Sequence, residues 1–228
     1  LLSAAFANVG RAATLPLVQR QYRDKPPFAF ARGSELFHCY DFFRTLLPRL
    51  PSLSIRVTED ARTPPLLIYT DASFSTRSGK RTRDGECTSP AHRRLRGALG
   101  AVVYDPVDHS VRVASATPPW ALLLSSWSAD RKTYIAELEM LAAVSVYSTY
   151  PSLIRGRRVH HFIDNTVALS ALVHGYAGKP DLAKSVNVFY LQMLELRSSV
   201  YFDYVPSKAN IADLPSRDAW AQLDGELS

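Results

Sequence analysis

The pattern of apolar and polar positions predicts an α/β domain in the part of the chain that follows residue 60. Apolar runs typical of strands lie at 66–71, 97–106, 110–117, 157–164 and 200–205. Helical spacing of apolar positions covers 130–150, 166–174, 181–199 and 216–223, and PPWALLLSSWS at 118–128 predicts further extended chain. This order predicts a mixed five-stranded sheet, a three-strand antiparallel meander plus parallel strands, with helices on its faces.

Residues 1–60 are predicted to form a helical N-terminal extension or connection segment. The stretch SELFHCYDFFRTLLPRL has apolar residues near helical spacing, with Ser34 as a candidate N-cap and Pro48 close to its end. TEDARTPP at 58–65 predicts a linker into the first strand. We therefore place a domain boundary near residue 60, with the α/β domain at 61–228.

The composition is that of a globular protein, since 46% of the residues are hydrophobic and 21% are charged. No apolar run reaches the roughly 18 residues that a membrane span needs, so we expect no membrane contact. Cys39 and Cys87 fit no zinc or redox spacing, which predicts a reducing intracellular compartment, nucleus or cytoplasm. The chain begins at Leu1 without a signal-peptide pattern, and we expect it to be a piece of a longer protein.

One short segment supplies nearly all of the net positive charge of +6. From Arg77 to Arg96 there are seven Lys or Arg and two acids, an excess of five. Such a run is either a solvated loop or an arm that neutralises phosphates. Its candidate phosphate contacts are Arg77, Lys80, Arg81 and Arg83.

Two predicted strands end on an aspartate. Asp71 closes the apolar run in PPLLIYTDAS, and Asp164 closes the one in HHFIDNTVAL. A single acid at such a position is commonly a turn residue or a helix N-cap, but strands one and four can lie side by side in this sheet. Two carboxylates at one rim are costly unless a cation lies between them. Hard Mg²⁺ prefers oxygen ligands of this kind.

The helix between these strands carries two further candidate acids, Glu137 and Glu139. Residues two apart lie about 200° apart around a helix, so only one of them faces the rim. Glu139 is preferred because Ala142 and Ala143, three and four positions later, let the helix lie close to the sheet. Glu137 stays the alternative, and a surface role is open for either acid.

The fourth acid, Asp213, lies in YVPSKANIADLPSR just after the fifth strand. The order Asp71, Glu139, Asp164, Asp213 resembles the ribonuclease H family, above all the ribonuclease H domains of retroelement reverse transcriptases. IYTDAS, ELEMLAAV, FIDNTVAL and VPSKANIADLPSR are similar to its four motifs, in order. The resemblance covers about residues 64–220.

This resemblance implies a ribonuclease H-like fold and hydrolysis of the RNA strand of RNA–DNA hybrids with two Mg²⁺ ions, Mn²⁺ being the alternative metal. It implies that Asp71 is shared by both ions, that Glu139 and Asp164 hold one, and that Asp213 completes the other. It also implies an upstream polymerase domain in the same polyprotein. Further candidates for contact with nucleic acid are Asn165, Lys208, Asn210 and Arg217, although Asn165 is equally a candidate helix cap and the two cations equally suit a solvated surface.

The sequence departs from the family pattern in two places. PSKAN, the loop before Asp213, lacks the histidine of many cellular members, and the loop between strands one and two, about 25 residues, is long for the family. Two other functional classes therefore stay open: a catalytically decayed binding or structural module, and another nuclease on the same fold. Gly97 and Gly100 predict close backbone packing, and Trp120 and Trp127 predict packing in the interior.

Overall fold

The computed structural model describes residues 8–22, 32–50, 63–77, 94–127 and 133–226. Within these ranges five strands form one sheet: β1 is Leu66–Arg77, β2 is Arg94–Asp105, β3 is Ser110–Ala116, β4 is Arg158–Ile163 and β5 is Ser199–Tyr204. Their order in the sheet is β3-β2-β1-β4-β5. The first three strands pair antiparallel, and β4 runs parallel to both β1 and β5. The predicted fold class, a mixed five-stranded sheet made of a three-strand antiparallel meander plus parallel strands, is therefore confirmed.

The described α-helices lie in the N-terminal segment, in the connections between strands and after the last strand. They are α1 (Leu15–Tyr22), α2 (Glu35–Leu46), α3 (Trp120–Ser126), α4 (Ile135–Thr149), α5 (Pro151–Ile154), α6 (Thr166–His174), α7 (Pro180–Leu196), α8 (Asp213–Ser216) and α9 (Trp220–Glu226). Short 3₁₀ turns lie at Ala12–Thr14, Leu47–Arg49 and Ser207–Ala209. Among the described helices, none combines the length and the apolar character that a membrane crossing requires.

The main core lies between one face of the sheet and the helices α4, α6 and α7. Alternate residues of β1, such as Leu66 and Ile68, point into it and are fully buried. Met140 of α4, Ile163 of β4 and Phe189 of α7 close the same cluster. This packing fixes α4, the helix that carries Glu139, against β1.

A hydrogen-bonded group of three polar side chains lies inside this core. The ring of His161 is within 2.9 Å of Tyr147 Oη through Nδ1 and within 2.9 Å of Thr70 Oγ1 through Nε2. Burial lowers the pKa of His161 to about 3, so the ring is neutral. Both of its nitrogens have hydrogen-bond partners. His160, the next residue, lies on the opposite face of β4 against Phe162, as the alternation of a strand predicts.

The N-terminal segment contacts the sheet domain through its first described residues. Ala12 and Leu15 belong to the main core, and the Asn8 amide donates a hydrogen bond of 3.2 Å to the hydroxyl of Tyr190. Ser34 caps α2 by accepting a hydrogen bond from the backbone N–H of Phe37, as predicted. The domain boundary near residue 60 stays a prediction, and it lies outside the described residues.

Two predicted elements are wrong. Residues 120–126 are helical, not extended, because Trp120, Leu123 and Trp127 at helical spacing pack with Tyr134 in a second cluster, while Leu122 is 67% exposed. This packing also bears out the predicted interior role of the two tryptophans. The single helix predicted at 216–223 is instead α8 and α9, separated by a turn with Asp218 at a φ of 58°.

Candidate metal centre

Asp71 does not end its strand, contrary to the prediction, since β1 continues to Arg77. What ends at this point is the parallel pairing with β4, whose last pair is Thr70 with Ile163. Asp71 is the first residue of β1 beyond that pairing, and Asp164 is the first residue after β4. The two carboxylates therefore lie at the same edge of the sheet, as predicted.

The third acid at this edge comes from α4. Asp71, Glu139 and Asp164 each offer a carboxylate oxygen, and these atoms lie within 4.8 Å of one another. Glu139 accepts a backbone hydrogen bond from Ala72, and Ala142 and Ala143 are almost completely buried beside the sheet. Glu137 is also buried, but it does not belong to the group that the described residues form here.

Burial and mutual repulsion make this cluster costly to ionise in the absence of a cation. Burial first, and then the charges of Asp71 and Asp164, raise the pKa of Glu139 to about 9. Burial likewise raises the pKa of Asp71 to about 6, against the lowering effect of a hydrogen bond from Ser216. A divalent ion would reverse both effects, because it stabilises the charged forms.

Two buried oxygens of the cluster have no hydrogen-bond partner among the described residues. They are Oε2 of Glu139 and Oδ1 of Asp164. Buried carboxylate oxygens without a partner are rare in folded proteins, because each one loses its hydration. An all-carboxylate donor set with unused oxygens fits a divalent metal ion of the hard, oxygen-preferring class.

Asp213 stands beside this group rather than within it. It is the first residue of α8, its side chain is 31% exposed, and its Oδ1 accepts a hydrogen bond of 2.6 Å from Nε of Arg217. Its charge nevertheless raises the pKa of both Asp71 and Glu139, so it lies near them. The structure thus brings three of the four predicted acids together and keeps the fourth in an ion pair.

The short helix α8 reaches Asp71 because β2 has a glycine at the point of contact. Gly100 pairs with Asp71 across the two strands, and a Cβ on Gly100 would lie 2.5 Å from the carbonyl oxygen of Ala212 and 2.6 Å from the amide of Ser216. This close approach is the backbone packing that the sequence predicts for Gly100. It lets the hydroxyl of Ser216 donate a hydrogen bond to Oδ2 of Asp71.

Sequence reasoning missed Ser216 as a residue of this site. Its signal is its place in NIADLPSR, three positions after Asp213, where a serine at that spacing from an acid can face the same way on a helical turn. Nothing in the local pattern indicates Asp71 as its partner, because the two residues are 145 positions apart.

The predicted contacts to nucleic acid occupy different environments. Lys208 and Arg217 are exposed, and Arg217 is paired with Asp213. Asn165 caps α6 by accepting hydrogen bonds from the amides of Val167 and Ala168. Asn210 is buried, donates to the carbonyl oxygen of Thr70 and accepts from the amide of Ala212. Lys80, Arg81, Arg83 and the side chain of Arg77 lie outside the described residues.

The fold and this cluster define an α/β domain with a carboxylate site suited to a divalent metal. No family model matches the sequence, and neither does any curated protein. Among solved structures, the chain is similar to RNase H1 from the halophilic archaeon Halobacterium salinarum NRC-1, with 14% identity, a TM-score of 0.46, and coverage of 69% of this chain and 98% of that one. It is also similar to the N-terminal RNase H domain of Rv2228c from Mycobacterium tuberculosis, solved as a fusion with maltose-binding protein, with 17% identity, a TM-score of 0.45, and coverage of 72% and 98%.

Proposed function

We propose that this chain is a metal-dependent endonuclease that hydrolyses the RNA strand of RNA–DNA hybrids, as the ribonuclease H domain of a retroelement reverse transcriptase. The observation that carries the proposal is the convergence of Asp71, Glu139 and Asp164 within 4.8 Å at the edge where β1 and β4 part. These are three of the four acids that the motif resemblance selects, and they come from three separate elements. The unpartnered oxygens of Glu139 and Asp164 are the second support.

The four acids would hold two metal ions between them in the proposed reaction. Asp71 is the ligand that two Mg²⁺ ions would share, as the motif resemblance implies, while Glu139 and Asp164 would hold one ion. Asp213, whose Oδ1 is paired with Arg217, would complete the shell of the other. The chemistry that bound ions supply is activation of a water and stabilisation of the leaving 3′ oxygen. Selection of RNA would come from contacts to its 2′-hydroxyls.

The retroelement assignment rests on the motif around Asp213. Asn210, Asp213, Ser216 and Arg217 stand in the register of the retroelement form of this motif. The proposal therefore includes a polymerase domain encoded upstream in the same polyprotein. Sequencing the reading frame upstream of Leu1 tests it, and a frame without a polymerase domain would contradict the retroelement context while leaving the nuclease proposal intact.

The nuclease activity is tested on a hybrid whose RNA strand carries an end label, with Mg²⁺, with Mn²⁺ and with a chelator. We expect metal-dependent cleavage of the hybrid, and none of the same RNA as a single strand or in an RNA duplex. Asp71→Asn removes a charge and a metal ligand at almost constant volume. It should lower the cleavage rate by more than about 100-fold, because removing even a hydrogen-bond partner of a metal ligand commonly costs 10- to 100-fold in metal affinity or activity.

The controls for this test concern folding and binding. The circular dichroism spectrum of Asp71→Asn should match that of the parent, so that the loss of activity reflects the site. Hybrid binding without cleavage by the parent, in either metal, would favour the decayed binding module instead. A variant that cleaves as fast as the parent would show that Asp71 is not a metal ligand of the reaction.

A further inference from the structure

Ser216 makes a side-chain hydrogen bond to a proposed metal ligand. Its hydroxyl donates to Oδ2 of Asp71, and the two residues are 1% and 4% exposed. Water therefore has little access to the contact, and a hydrogen bond to a buried carboxylate is stronger than one at the surface. The bond fixes one oxygen of Asp71 and restricts the rotation of its carboxylate group.

The backbone of Ser216 is itself held in place by β1. The hydroxyl of Ser73 donates a hydrogen bond of 2.8 Å to the carbonyl oxygen of Ser216 and accepts one of 3.1 Å from the amide of Ala98. Gly100 leaves the space that this approach needs. Ser216 is thus presented to Asp71 by two strands of the sheet rather than by a free loop.

Ser216 also lies next to the backbone of the fourth acid. Its Oγ is 3.1 Å from the carbonyl oxygen of Asp213, but a hydroxyl has a single proton. An ionised carboxylate is the stronger acceptor of the two, so the proton is directed to Asp71. One small side chain therefore contacts the side chain of Asp71 and the backbone of Asp213.

We propose that Ser216 is a positioning residue, which orients the Asp71 carboxylate for metal binding and sets the place of α8, and hence of Asp213, beside it. The inference rests on the proposed function, because it assumes that Asp71 binds metal. Hydrogen-bond partners of metal ligands commonly contribute 10- to 100-fold to metal affinity. Ser216→Ala should accordingly weaken metal binding by at least about tenfold.

The test is a calorimetric titration of the full chain with Mn²⁺, in the parent, Ser216→Ala, Ser216→Cys and Ser198→Ala. Ser216→Cys keeps nearly the same volume but replaces the hydroxyl with a weak S–H donor, so it should weaken Mn²⁺ binding in the same direction. Ser198→Ala is the matched control. That hydroxyl is partly buried and donates a hydrogen bond of 2.7 Å to the carbonyl oxygen of Ile154, but it has no contact with the acids.

Thermal unfolding in chelator separates positioning from loss of stability. We expect Ser198→Ala to lose stability without losing Mn²⁺ affinity, whereas Ser216→Ala loses affinity by at least about tenfold. Parent-like affinity in both Ser216 variants would overturn the inference and leave the nuclease proposal standing. An equal loss of affinity in Ser198→Ala would overturn it as well. A parent that cleaves no hybrid and binds no Mn²⁺ would overturn both proposals.

Discussion

At the scale of single residues, Glu139 carries most of the electrostatic cost of the site. The folded, metal-free chain holds the pKa of Glu139 at about 9, whereas an unfolded chain has the ordinary value of 4.5. Between these two pH values the folded state keeps a proton that the unfolded state has released. The contribution of Glu139 to the free energy of unfolding therefore falls as pH rises through this window.

Glu139→Gln removes this titration, so the stability that the variant gains over the parent should grow with pH. In chelator, urea unfolding should show the variant close to the parent near pH 5 and more stable by about 4 kcal/mol near pH 8, since roughly three pH units at about 1.4 kcal/mol each separate these conditions. Asp71→Asn gives an internal comparison. Its benefit should level off near pH 7, because the pKa of Asp71 reaches only about 6. A difference between Glu139→Gln and the parent that is constant from pH 5 to pH 8 would contradict the prediction.

Added Mg²⁺ should make the parent more stable than Glu139→Gln at pH 8, which is the reverse of their order in chelator. The parent gains stability from an ion that binds only its folded state, whereas Glu139→Gln has lost a proposed ligand and gains less. The thermal midpoint of each protein, measured with chelator and then with Mg²⁺, checks this expectation. An equal rise of both midpoints would place the ion away from Glu139.

At the scale of elements, the site depends on the fit of α8 against β2. Gly100→Ala would place a methyl group 2.5 Å from the carbonyl oxygen of Ala212 and 2.6 Å from the amide nitrogen of Ser216. Because both are backbone atoms, α8 must shift. We expect a loss of about 1–3 kcal/mol in urea unfolding together with weaker Mn²⁺ binding.

Gly178→Ala is the matched control for this change. A Cβ on Gly178 would meet nothing within 4 Å, so the substitution should be neutral or stabilise by a few tenths of a kcal/mol, about what a less flexible unfolded chain gives. Equal stability and equal Mn²⁺ affinity of the two variants would show that α8 does not need the close contact.

The same elements show how far the sequence can predict this site. The parallel pairing of β1 with β4 brings Asp71 and Asp164 to one edge, and this follows from apolar periodicity and element order. The helix at 120–126 does not follow, because a short apolar run suits a strand or a helix until its packing partners are known. The contact of Ser216 with Asp71 does not follow either, because it arises only when segments 145 positions apart meet.

At the scale of the whole molecule, charge is distributed unevenly along the chain. The segment from Arg77 to Arg96 has an excess of five positive charges, seven bases against two acids, while the rest of the chain has 20 bases and 19 acids. It joins β1 to β2, which pair as far as Arg77 with Arg94. Arg77 is six residues along β1 from Asp71, a distance of roughly 20 Å at about 3.3 Å per residue. A bound duplex is long enough to contact both places.

Neutralising Arg77, Lys80, Arg81 and Arg83 together to glutamine should therefore weaken hybrid binding. Each lost phosphate contact makes the negative slope of log affinity against log salt concentration shallower by about 0.9, so the loss of four contacts would make it shallower by about 3.6. Thermal stability should stay close to that of the parent. The measurement is the affinity for a hybrid at several salt concentrations, in chelator, so that cleavage does not interfere.

The control for this prediction makes the same change of net charge elsewhere. Arg20, Arg49, Lys179 and Lys184 are exposed on the described surface, and their replacement by glutamine also removes four positive charges. If the segment contacts phosphate, only the first variant has a reduced slope. An equal reduction in both variants would assign the effect to the overall positive charge, and a parent-like slope in both would leave the segment a solvated loop that takes no part in binding.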